Sequence, residues 1–193
     1  MESPTQIRKR IRATRRALDP QVRSDNNVEI CKRVAELDSF KSARHIAAYL
    51  AFDGEADPME LMNSAIDQGK RVYLPIIVDK SEPLAFAPWT RSTKLVKNRF
   101  DILEPELEQA ELMVAEKLDF VVCPLVGFDE TLARIGVGGG YYDRTFAFAN
   151  EPDHDKKVQL VGVAFELQKL DSIEPQPWDV RLDAVVTQSR IYT

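Results

Sequence analysis

The run LDFVVCPLV, residues 118–126, constrains the fold more than any other stretch of the chain. It is continuous, apolar and rich in β-branched residues, and Gly-Phe-Asp ends it. A strand buried on both faces has this composition, and such strands belong to parallel sheets covered by helices. Shorter runs of the same kind recur: HIAAYLAF from His45, RVYLPII from Arg71, LAFAPW from Leu84, VQLVGVAF from Val158 and DAVVTQ from Asp183. Helical segments lie between some of them, for example residues 58–68, which Gly69 ends. This alternation predicts an α/β fold around a largely parallel sheet, and 193 residues suit one domain spanning residues 1–193. Residues 91–111 predict a long polar connection, and residues 140–150 a helix.

Two helices precede the first strand. Ile7, Ile11, Thr14 and Leu18 fall on one helical stripe, with Arg8, Arg12 and Arg15 on the stripe beside it. Asp19-Pro20 ends this basic helix, and residues 21–38 predict the second, with Val22, Val28, Cys31, Val34 and Leu37 available for burial. The net charge of −5 hides an asymmetry. Residues 1–16 hold six basic side chains against Glu2 alone, which leaves 20 basic and 30 acidic residues of the chain's 26 and 31 for the rest. An acidic body repels a phosphate backbone, so a general nucleic-acid surface is not expected. The start MESPTQIRKRIR has no apolar h-region, and no apolar run approaches about 18 residues, so neither signal peptide nor membrane span is expected. Two cysteines, Cys31 and Cys123, make no disulfide framework and fit a reducing cytoplasm.

Glycine is scarce, with eight in the chain, yet Gly136, Gly138, Gly139 and Gly140 cluster between a strand and a helix. Such a loop brings backbone N–H groups close to an anion. The Walker pattern is absent, since no Gly-Lys-Ser/Thr follows, and the dinucleotide fingerprint fails because Tyr141 stands where its third glycine belongs. Arg134 precedes the loop and could grip phosphate oxygens with both prongs. Asp143 follows it, either as a Mg²⁺ ligand or as a simple helix-start acid. Tyr141 and Tyr142 offer flat apolar surface for a ring-bearing ligand or for the core. His45 and His154 are the only histidines, one entering a strand and the other in a polar DHDKK loop, and neither is read as a base or metal ligand. These residues alone leave open a kinase or ligase acting on some small acid, or a regulatory protein using its basic arm.

The run PLVGFDETLARIGVGGGYYDR, residues 124–144, resembles the signature of the 5-formyltetrahydrofolate cyclo-ligases, also called 5,10-methenyltetrahydrofolate synthetases. The resemblance spans the chain: IRKRIRATRRAL resembles the family's basic first helix, YLAFDGEADP its first strand and acidic turn, RVYLPI the next strand, and WDVRLDAVVT its closing segment. It implies a mixed, mostly parallel sheet flanked by helices, and ATP-dependent closure of 5-formyltetrahydrofolate to 5,10-methenyltetrahydrofolate in one-carbon metabolism. The resemblance assigns ATP to Arg8 and to Arg134, Ile135, Gly136, Val137, Gly138, Gly139, Gly140, Tyr141 and Tyr142, with Arg134 and Tyr142 catalytic. It assigns folate to Leu50 and Glu55, and Mg²⁺ to Asp143 and Asp179. A cytoplasmic monomer is expected, with 5-formyltetrahydrofolate and ATP as partners and neither nucleic acid nor membrane. Two positions depart from the pattern: Pro4 stands where many members have lysine, and Gly139 where some do. Lys9 or Arg12 is the expected substitute for the lysine at Pro4.

Overall fold

The computed structural model describes residues 2–79, 82–98, 102–106, 112–151 and 158–193. Helix α1 (Pro4–Arg16) starts on a reciprocal cap: Ser3 Oγ accepts from Gln6 N at 3.3 Å, and Gln6 Oε1 accepts from Ser3 N at 2.8 Å. Pro4 occupies the first turn, where a missing N–H leaves nothing unsatisfied. Helix α2 (Pro20–Glu36) starts the same way on Asp19, whose Oδ1 accepts from Gln21 N and Val22 N. Then follow α3 (Asp38–Ser42), β1 (His45–Ala47), α4 (Met59–Asp67), β2 (Arg71–Ile76), β3 (Ala85–Trp89), β4 (Leu95–Lys97), β5 (Leu103–Pro105), β6 (Phe120–Cys123), β7 (Gly127–Phe128), β8 (Arg134–Ile135), α5 (Tyr141–Thr145), β9 (Gln159–Val163), β10 (Ala184–Val186) and β11 (Ile191–Tyr192).

Seven strands form one sheet in the order β11-β10-β9-β6-β1-β2-β3. The pairs from β10 through β2 are parallel, and only the edge strands β11 and β3 run antiparallel. The fold is therefore α/β with a mixed, mostly parallel sheet, as the strand runs indicated. Successive side chains of a strand point to opposite faces, and β6 shows why its run had to be apolar throughout. Phe120 and Val122 enter one core with α2, α3 and α4, while Val121 and Cys123 enter a second core with Phe146 and Phe128. All four are buried, each large apolar side chain contributing about 1.5–3 kcal/mol. Helix α1 lies outside both layers and docks Ile11 on Val126 and Ile135, beside the β7–β8 pair.

The structure corrects several expectations. The docked stripe of α1 runs through Ile11 and Arg15, both about 1% exposed, while Thr14 is exposed. In α2 the buried residues are Ile30, Cys31 and Val34, and Val22 and Val28 face solvent. The polar connection at residues 91–111 contains the antiparallel β4–β5 pair, held by Leu95↔Pro105 and Lys97↔Leu103. The helix expected over residues 140–150 is broken: α5 stops at Thr145, and Ala147–Asn150 is a 3₁₀ turn. Phe146 turns into the second core there, which takes the chain out of α-helical geometry. His154 lies outside the described residues. No helix among the described residues is long and apolar enough to cross a membrane.

Candidate active site

Strand order decides where a ligand can sit. From β1 the chain moves outward to β2, and from β6 it moves the other way to β9, so the direction of winding reverses between the neighbours β1 and β6. In parallel α/β sheets the loops that leave two such strands diverge and open a crevice beyond their carboxyl ends. The loop after β1 holds Leu50 and Glu55, and the segment after β6 leads through β7 and β8 to the glycine loop. The two halves of the expected site, far apart in sequence, thus arise at one reversal point.

In the glycine loop only two residues need a glycine for conformation. Gly138 has φ +108° and Gly140 φ +64°, both unfavourable for a residue with a Cβ. Gly136 and Gly139 adopt no positive φ. Helix α1 reaches this loop through Arg8, whose Nε donates to the Gly136 carbonyl at 2.8 Å. The guanidinium carbon of Arg8 would lie 3.5 Å from a Cβ at Gly138. Arg144 closes the other side, donating from Nη1 to the Gly139 carbonyl at 2.9 Å and standing 4.9 Å over the Tyr141 ring. Arg134 donates from Nη2 to Asp143 Oδ1 at 2.6 Å and from Nη1 to the Val180 carbonyl. Val180 N also donates to Asp143 Oδ1, at 3.2 Å, so the segment carrying Asp179 abuts the helix carrying Asp143.

The loop after β1 is gripped by α1 from above. Asp53, at φ +55°, accepts from Arg12 Nε at 2.5 Å and from Arg16 Nε, and its carbonyl accepts from Arg15 Nε and Nη2 at 3.2 and 3.0 Å. Burial alone would raise the Asp53 pKa, but the hydrogen bonds from Arg16 and Arg12 hold it below the ordinary carboxylate value. Glu55 is buried at 8% exposure, with Oε2 accepting from Phe52 N at 3.1 Å and Oε1 3.8 Å from Arg15 Nη2. Burial pushes its pKa up, and Arg15 offsets that only in part. Burial, with Glu55 adding, also drives the Tyr142 and Tyr49 phenols well above their ordinary value. Tyr49 Oη donates to the Ala56 carbonyl at 2.6 Å, and Leu50 packs half-buried on the first core.

Comparison with known proteins gives this geometry a family. Residues 1–188 match the model of the 5-formyltetrahydrofolate cyclo-ligase family. The chain belongs to the 5-formyltetrahydrofolate cyclo-ligase family. The chain is 36% identical to the 5-formyltetrahydrofolate cyclo-ligase of Escherichia coli, over 94% of this chain and 98% of that protein. It is 33% identical to the one of Haemophilus influenzae, over 92% and 93%. A solved 5,10-methenyltetrahydrofolate synthetase from Aquifex aeolicus superposes with a TM-score of 0.81 at 26% identity, covering 97% of this chain and 91% of that one.

Within a cyclo-ligase fold, the departure at Pro4 has a plain structural use, since Pro4 starts α1. Of the two substitutes expected for the absent lysine, Arg12 is committed to Asp53, while Lys9 is exposed. The remaining arm charges are also spent internally: Arg10 pairs with Glu2 at 2.8 Å, and Arg15 and Arg16 engage Asp53. Sequence reasoning missed Arg15, which it placed on an open stripe, and Arg144 on the glycine loop. It also missed two exposed apolar side chains near expected site residues, Phe52 and Trp178; Val137, which the resemblance assigns to ATP, is exposed as well.

Mg²⁺ fits the residues present. Asp143 and Asp179 supply hard oxygen donors on abutting segments, and Asp179 uses Oδ2 on Gln176 N while Asp143 uses Oδ1 on Arg134 and Val180. Among the described residues Asp143 Oδ2 and Asp179 Oδ1 accept no hydrogen bond. Among the described residues no group of three or more His, Cys, Asp or Glu could hold a metal, so the ion would complete its shell with phosphate oxygens and water, the usual habit of Mg²⁺.

Proposed function

We propose that this chain catalyses the ATP-dependent closure of 5-formyltetrahydrofolate to 5,10-methenyltetrahydrofolate, with release of ADP and phosphate. The observation that carries the proposal is the meeting, at the β1–β6 reversal, of an arginine-held glycine loop and a buried carboxylate loop, in a chain that matches the cyclo-ligase family over residues 1–188.

The residues divide the work. The triphosphate lies along the loop from Arg134 to Tyr142, with Gly136, Val137, Gly138, Gly139 and Gly140 presenting backbone N–H groups. Arg8 and Arg134 neutralise the charge, and Mg²⁺, held by Asp143 and Asp179, would add Lewis-acid stabilisation of the same oxygens. Because α5 has only five residues, the loop amides and arginines outweigh any helix dipole. Folate lies against Leu50, with Glu55 accepting hydrogen bonds from the pterin's amino and ring N–H groups. Phe52 and Val137 supply apolar surface for its rings.

The chemistry asks for positioning more than for a protein nucleophile. The formyl oxygen attacks the γ-phosphorus, breaking its bond to ADP and giving an imino-phosphate. The nitrogen at position 10 then attacks that carbon, loses its proton, and phosphate leaves with the C–O bond. Tyr142, whose phenol is held protonated, serves as a hydrogen-bond donor to the transferred phosphoryl group rather than as a base. Appearance of the methenyl product's near-ultraviolet absorbance, with ATP and 5-formyltetrahydrofolate, tests the proposal. A folded protein that gives no ATP-dependent signal rules it out.

A further inference from the structure

Arg15 is the least expected residue of the site. It is a charged side chain 1% exposed, on a helix face whose other buried residue is Ile11. Buried arginines ordinarily stand in fully satisfied ion pairs, because an unused N–H in the interior destabilises the fold. Arg15 does not meet that condition: its Nη1 is buried without a hydrogen-bond partner among the described residues. Its Nη2 lies 3.7 Å from Asp53 Oδ2 and 3.8 Å from Glu55 Oε1, in ion-pair range of both and in hydrogen-bond range of neither. Asp53 is already served by Arg12 and Arg16. Among the described residues Glu55 has no other ion pair, and Arg12 acts on it more weakly than Arg15. Ile11 and the Arg12 and Arg16 bonds also dock α1, so Arg15 is not its sole anchor.

We propose that Arg15 is a positioning residue for the folate subsite, holding the Glu55 carboxylate ionised and oriented toward the N–H edge of the pterin. This rests on the reading of Glu55 as the pterin acceptor given above. A pterin edge offers neighbouring N–H donors, and among side chains an ionised carboxylate accepts from two of them with its two oxygens and donates nothing in return. Burial works against that charged form, and Arg15 is the strongest opposing influence on Glu55. The other groups that bear on Glu55 are Arg12 on α1, Asp53 and Tyr49 on its own loop, and Tyr142 on α5. Arg15 also donates to the Asp53 carbonyl, so the same guanidinium fixes the backbone two residues before Glu55. Through Arg8 and Arg15, α1 touches the nucleotide loop with one turn and the folate loop with another.

Arg15→Met and Arg15→Lys test this. Arg15→Met is expected to raise the KM for 5-formyltetrahydrofolate by roughly ten- to a hundredfold near neutral pH, as loss of a charged acceptor pair does. The KM for ATP should change by less than about twofold. The folate KM of Arg15→Met should fall again as pH is raised, because Glu55 then ionises without help. Arg15→Lys should restore the wild-type pH profile. A substrate-free measurement separates this from the activity assignment: the Glu55 carboxyl carbon, identified by its loss in Glu55→Gln, is titrated by ¹³C NMR. Arg15→Met should move its midpoint upward, and Arg15→Lys should leave it near wild type. An unmoved midpoint in Arg15→Met overturns the inference even if the wild type is an active cyclo-ligase. Equal rises in both KM values with no pH dependence, in either variant, overturn it too and reduce Arg15 to a helix-docking residue. A wild type without ATP-dependent product refutes the activity instead, and the titration still decides on Arg15. If Arg15→Met does not fold, Arg15→Lys carries the test: the wild-type pH profile supports the inference.

Discussion

Replacing Gly138 by alanine isolates what the glycine loop stores. At φ +108° an alanine costs about 1–3 kcal/mol of backbone strain. Space adds little, because the new methyl would stand 3.5 Å from Arg8 Cζ, an ordinary contact. Gly136 is the internal control: it has no positive φ, and a Cβ there meets nothing within 4 Å. Alanine at Gly136 should stabilise by about 0.4–1 kcal/mol through the unfolded chain's lost freedom. In a chain of this length each kcal/mol moves the melting temperature by about 2–4 °C. Without nucleotide, Gly138→Ala should therefore melt roughly 2–12 °C below wild type and Gly136→Ala about 1–4 °C above it. Thermal unfolding followed by circular dichroism reads the difference. Gly136→Ala should nevertheless bind ATP more weakly, because its methyl occupies the open space assigned to phosphate. Equal melting of the two variants would refute the strain argument, and unaltered ATP affinity in Gly136→Ala would remove the phosphates from that side of the loop.

Three further outcomes follow from the same contacts. Arg8→Ala loses the 2.8 Å bond to the Gly136 carbonyl and should raise the KM for ATP by roughly ten- to a hundredfold, with the folate KM little changed, as steady-state kinetics would show. Asp143→Asn should demand a higher Mg²⁺ concentration for half-maximal rate and lose about 1–3 kcal/mol of stability in urea, since Arg134, with a side chain 6% exposed, loses its anionic partner. Glu55→Gln should bind folate poorly yet melt higher than wild type at neutral pH. Because the Glu55 pKa is raised on folding, the unfolded state binds fewer protons between the unfolded and folded values, and stability falls as pH rises through that interval. Melting curves of the two proteins should converge below the ordinary glutamate value; a lower melting temperature for Glu55→Gln at neutral pH would show that Glu55 is stabilising instead.

What could be read from the sequence depended on how local the cause was. Strands β1, β2, β3, β6, β9 and β10 were visible because each is an apolar run that must be buried on its own account. Strands β4, β5, β7, β8 and β11 have two or three residues each, too few to show an alternating or continuous apolar pattern of their own. The glycine cluster announced a ligand loop, but not that only Gly138 and Gly140 use positive φ. Arg15 was misplaced because a helical wheel turns arginine outward, and its counter-charges, Asp53 and Glu55, lie about forty residues away. Of the residues expected to be buried on α2, Cys31 and Val34 are, but Val22 and Val28 face solvent and Ile30 takes the remaining core position. The reversal of winding between β1 and β6, which brings the folate and nucleotide loops together, depends on strand order and has no local trace in the chain.

The most direct measurement follows methenyl absorbance and ADP release together, using purified protein, Mg²⁺, ATP and 5-formyltetrahydrofolate. The account predicts that both rise in equal amounts, that neither appears when ATP or the folate is omitted, and that Arg134→Ala suppresses both. Methenyl formation without ATP, or ADP release that ignores the folate, would contradict it.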